Sequence, residues 1–114
     1  MPATRIIVLF NLKPGKRMSD YEAWARAHDL PTVNGLGSIR KFEVFKSKSR
    51  LIGEGKPTYQ YVEIIDVKDM DAFGTDISDA TVQRVAGEFA EFADAEFIVT
   101  KKIGWKRGKT EAAA

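Results

Sequence analysis

The chain has 114 residues, 44% of them hydrophobic and 30% charged, with a formal net charge of +2. That length suits one domain with a core of its own. The absence of cysteine excludes a disulfide, a thiolate nucleophile and a cysteine-based metal site, and so small a net charge gives no case for nucleic acid. The longest apolar run, Ile6–Phe10, is far too short to span a bilayer, and no signal-peptide pattern opens the chain. The expectation is a cytoplasmic protein with no membrane contact.

Arg5–Leu12 is rich in β-branched and apolar residues and predicts a strand that Lys13-Pro14-Gly15 ends. Both of its faces are largely apolar, so both need cover, as for a central strand. A helix is predicted from Ser19, with Ser19 and Glu22 as a capping box and Pro31 as the stop or kink. Tyr21, Trp24, Ala25 and His28 recur at i, i+3, i+4 and i+7 and form its packed face. Ile39–Lys46 and Tyr59–Val67 read as the second and third strands, joined by a long polar connection with Gly53, Gly55 and Pro57. Asp69 caps a short turn. A longer helix follows over 76–92, with the stripe Ile77, Thr81, Val85, Phe89 and Phe92, and Glu96–Ile103 makes the fourth strand.

The order β-α-β-β-α-β predicts a ferredoxin-like α+β fold: a four-stranded antiparallel sheet with two helices on one face. The domain is expected over 1–104, with 105–114 as a basic, mobile C-terminal tail whose three alanines suit an added remnant. The basic residues of 41–56 and of 101–109 read as solvated loop and chain end. Helices cover one sheet face only, while the strands are apolar on both. Phe10, Tyr61, Ile65 and Val99 are expected on the uncovered face, and a second copy of the chain is the simplest cover. The expected assembly is a homodimer with sheets packed face to face.

The strings RIIVLFNLKPG (5–15), DYEAWARAHDLPTVNGL (20–36), FEVFKS (42–47) with YQYVEIIDVKDMDAFG (59–74), and VQRVAGEFAEFAD (82–94) resemble the REDY-like HapK family of the dimeric α+β barrel superfamily. The resemblance implies the same fold and dimer. It also implies a setting in prodigiosin-like or related antibiotic biosynthesis, with no fixed catalytic role. The wider superfamily includes cyclases, lactone isomerases, cofactor-free monooxygenases and haem enzymes, and fold does not choose among them.

In that superfamily's arrangement Ile7, Leu9 and Asn11, with Gln60, Val62 and Ile64, are expected to face the helices. A small apolar or aromatic ligand is expected between them and Tyr21, Trp24 and His28. His28 is the candidate acid–base group, and Tyr21, Asn11 or Gln60 the candidate donor to a developing oxyanion. Trp24 is the candidate stacking platform, and Leu9 and Val62 line the floor. Each has a plainer reading: His28 at a helix C-terminus, Trp24 as core, Asn11 and Gln60 bonded to backbone. Tyr61 and Glu63 are expected inside the dimer barrel, Glu63 beside Arg40 or Lys101. No cofactor and no metal are expected, because one histidine without cysteine makes a poor ligand set. Dinucleotide, phosphate-loop and serine-nucleophile motifs are absent. The readings left open are a cofactor-independent cyclase, isomerase or dehydratase, a non-catalytic binding or accessory protein, a purely structural dimer, and a cofactor-free oxygenase.

Overall fold

The computed structural model describes residues 3–105. Four strands, β1 (Thr4–Phe10), β2 (Ile39–Lys46), β3 (Tyr61–Val67) and β4 (Glu96–Val99), form one antiparallel sheet in the order β2-β3-β1-β4. The first crossover is a helix in three parts: α1 (Met18–Trp24), a π turn (Ala25–Asp29) and α2 (Leu30–Asn34). The second holds α3 (Met70–Asp76) and α4 (Ala80–Phe92). This is the expected ferredoxin-like α+β architecture. No described helix is long and apolar enough to cross a membrane.

Period-two alternation sorts the strands into a buried and an open side. Ile6, Val8 and Phe10 of β1 and Tyr61, Glu63, Ile65 and Val67 of β3 are buried, and they pack with Tyr21, Ala25 and Phe89 of the helices. The expected faces are therefore inverted. Ile7, Leu9, Val62 and Ile64 lie on the open side, opposite the helices, beside Phe45 and Ile98. Phe10, Tyr61 and Ile65 belong to the core. Periodicity separates two faces but does not label them; the larger aromatic set takes the helix side because only there do Tyr21 and Phe89 meet it. Phe10 is the centre of that packing, edge-on to Tyr21 and Phe89 at 5.4 and 5.0 Å and stacked on Tyr61 at 5.3 Å.

Helix boundaries correct three further expectations. Arg17, not Ser19, precedes the first helix, and no side chain caps it. Glu22 turns instead to Tyr61 and Lys46. Pro31 does not stop the helix. A proline lacks the amide that would bond four residues back and its ring crowds that carbonyl; here the π turn immediately precedes, with the Leu30 amide reaching five residues back to the Ala25 carbonyl, and the chain stays helical to Asn34. The longer helix starts at Ala80 rather than Asp76, and the turn that Asp69 caps as expected is a helix of its own. Asp69 accepts from the amides of Asp71 and Ala72, and Asp79 from those of Thr81 and Val82, which leaves the Thr81 of the expected stripe exposed and Val82 buried. β3 and β4 are shorter than expected, and the expected tail beyond Trp105 lies outside the described residues.

Candidate functional site

The π turn decides which side chain the first helix delivers to the sheet. In an uninterrupted α-helix residue 28 shares a face with residue 21, seven positions back. A π turn carries one extra residue, so that place passes to residue 29. Tyr21, Ala25 and Asp29 are buried in line, and His28 is exposed.

Below that line the third strand offers Glu63, flanked on its face by Tyr61 and Ile65. The Tyr21 hydroxyl donates to Glu63 Oε2 at 3.2 Å. Asp29 and Glu63 both line a cavity of about 120 Å³ between the helices and the sheet, whose other walls are apolar and include Phe42, Phe73, Phe89 and Phe97. Among its lining residues Ile77 and Phe97 are exposed. An apolar cavity of about 150 Å³ holds benzene; this one is somewhat smaller, so one small ring is the most it takes.

Burial in apolar surroundings disfavours a charged carboxyl. It pushes Asp29 from 3.8 up to about 7. Glu63 is pushed from 4.5 up to about 8, by burial first and by the nearby Asp29 charge second, while the Tyr21 hydrogen bond opposes the rise. The Tyr21 hydroxyl is itself raised far above its ordinary value, chiefly by burial and then by Glu63. Both carboxyls therefore hold their protons into the neutral range, where one can act as acid and the other as base. A second cleft lies across Tyr21 and Tyr61, where Glu22 accepts from the Tyr61 hydroxyl at 2.6 Å and pairs with Lys46 at 2.9 Å. Those contacts, Tyr61 first, hold Glu22 below the usual carboxylate range.

Of the side chains singled out from sequence, Tyr21 alone reaches this carboxyl pair. Trp24 joins helix to helix: its indole N–H donates to Glu88 Oε1 at 2.8 Å, and its ring stacks on Phe89. Asn11 and Gln60 clamp the ends of β1 and β3 through backbone groups. The Asn11 amide donates to the Thr58 carbonyl and its oxygen accepts the Gln60 amide, while Gln60 Oε1 accepts the Leu12 amide. Leu9 and Val62 are on the open sheet face, and His28 points to the exterior. Asp29 and Glu63 are the residues that sequence reasoning missed as a pair. Glu63 carried a signal, as an acid amid apolar positions of one strand face. For Asp29 the signal was Pro31, which disfavours a regular helix at that point. No cluster of three or more metal-ligating side chains forms among the described residues.

The chain matches the family described as REDY-like protein HapK over residues 4–103. No match is found among the curated proteins. Among solved structures, HapK from Hahella chejuensis is 24% identical, with 94% of this chain and 99% of that one covered and a TM-score of 0.69. SnoaB, a cofactor-independent oxygenase from Streptomyces nogalater, is 13% identical over 94% and 99%, with a TM-score of 0.70. A dimeric protein of unknown function and ferredoxin-like fold from Bacteroides fragilis is 13% identical over 88% and 96%, with a TM-score of 0.61.

Proposed function

The chain belongs to the REDY-like HapK family, and from that premise we propose a cofactor-independent protein of secondary metabolism that moves a proton on a small, ring-bearing apolar intermediate. The observation that carries the reading is the pair of buried carboxyls, Asp29 and Glu63, in an otherwise apolar cavity. In its ionised form one carboxyl takes a proton from carbon; the other, protonated, gives its proton to the oxygen on which charge develops. Tyr21 fixes Glu63 for its part in this exchange. A cyclase, isomerase or dehydratase needs those two roles and no nucleophile.

The test is hydrogen–deuterium exchange. Phenylacetone in D₂O, followed by proton NMR, is expected to exchange its α-hydrogens faster with the protein than with buffer, and Asp29→Asn to remove the acceleration. Tight binding without exchange would instead indicate a carrier or accessory protein, and no difference from buffer would reject the catalytic reading. A second reading draws on the structural likeness to SnoaB: the same base would take the proton of a hydroquinone, whose anion passes electrons to dioxygen. It predicts oxygen uptake on an electrode without added metal.

The same proposal includes a homodimer. Among the described residues no element covers Ile7, Leu9, Val62 and Ile64, and Phe45 and Ile98 continue the apolar surface to both sides. A second sheet is the natural cover for such a face.

A further inference from the structure

The electrostatics of the cavity say more about the ligand than its size does. Asp29 is 7% exposed and Glu63 3%. Glu63 accepts one hydrogen bond, from Tyr21, and the Asp29 side chain accepts none from the described residues. Among the described residues no lysine, arginine or histidine lines the cavity. A buried carboxyl either keeps its proton or is matched by a cation, and the walls supply no cation. What they do supply is phenyl rings, Phe42, Phe73, Phe89 and Phe97, whose faces attract a cation once water is excluded. A carboxylate or phosphate ligand would find no counter-charge in these walls and would repel each acid as it ionises, so the site selects against it.

We infer that the buried end of the ligand carries a basic nitrogen, an amine or protonated imine on a single ring, which donates N–H bonds to Asp29 and Glu63. The inference rests on the reading of this cavity as the ligand site. It also deepens the chemistry proposed there. A protonated imine accepts electrons more readily than a carbonyl. When a carboxylate removes the proton from the adjacent carbon, the C–H pair becomes the C=C bond of an enamine and the C=N pair returns to nitrogen, with no other reactant.

Three probes of one shape separate the outcomes: benzylamine, benzyl alcohol and benzoate, titrated into the wild-type protein by calorimetry at about pH 8, where the amine is cationic. Benzylamine is expected to bind at least about tenfold more tightly than benzyl alcohol, the margin of a charge-assisted hydrogen bond over a neutral one. Benzoate is expected to bind more weakly than either. Asp29→Asn is expected to reduce the amine preference to about twofold or less, and Glu63→Gln serves if that variant does not fold. Equal binding of the amine and the alcohol to the wild type would overturn the inference while leaving the cavity as a ring site. Binding of none of the three would remove both the inference and the cavity reading beneath it.

Discussion

Replacing Asp29 by asparagine isolates the electrostatic cost of the site from its shape. The folded protein holds the Asp29 proton up to about pH 7, whereas the ordinary value is 3.8. Each pKa unit corresponds to about 1.4 kcal/mol, so keeping this carboxyl ionised inside the fold costs up to about 4 kcal/mol. The sign follows from proton counting. Between about pH 4 and pH 7 the native state binds a proton that the unfolded chain has lost, so stability falls as pH rises through that window and levels off above it. Glu63, moved from 4.5 to about 8, acts in the same direction and extends the decline upward. An asparagine side chain at this position has no charge to bury. Asp29→Asn should therefore be nearly neutral at about pH 4 and stabilising at about pH 8. There the gain is up to about 4 kcal/mol, or roughly 15 °C in melting temperature at about 4 °C per kcal/mol. Thermal melts of both proteins across that range read the difference directly. Parallel curves for wild type and variant, or a variant destabilised equally at every pH, would refute the reasoning.

Other substitutions check the remaining parts. Tyr21→Phe removes the hydroxyl that donates to Glu63; it should cost about 1 kcal/mol of stability by chemical denaturation and raise the Glu63 titration further. His28→Ala should change stability by less than about 0.5 kcal/mol, as for an exposed position, and leave proton exchange at the wild-type rate. Leu9→Lys, on the open sheet face, should convert a dimer into a monomer in sedimentation experiments without unfolding it; a variant that stays dimeric would move the interface elsewhere.

The fold was legible because its signals are local and repeated. The β-branched, apolar runs Arg5–Leu12 and Tyr59–Val67, punctuation by Lys13-Pro14-Gly15, and the aspartate before Met70 all lie within a few residues of what they specify. The site was legible only in part. Tyr21 was found because its helical spacing is regular up to Trp24. The spacing then fails, because the single extra residue of the π turn exchanges His28 for Asp29, and nothing in a hydropathy pattern marks that insertion. The inverted sheet faces have a similar origin. Ile6, Val8 and Phe10 alternate with Ile7 and Leu9, and both sets are apolar, so the choice between them is made by tertiary contacts with Tyr21 and Phe89. Once that choice is made, Glu63 moves from the expected barrel to the cavity, and the reading of the chemistry moves with it.

Carbon-13 NMR titration of the side-chain carboxyls reaches the centre of this account in one experiment. With resonances assigned through Asp29→Asn and Glu63→Gln, Asp29 is expected to titrate at about 7 and Glu63 at about 8. Both carboxyls titrating in the ordinary acidic range, below about 5, would mean that they are ionised and hydrated at neutral pH, and the proton-transfer site described here would not exist.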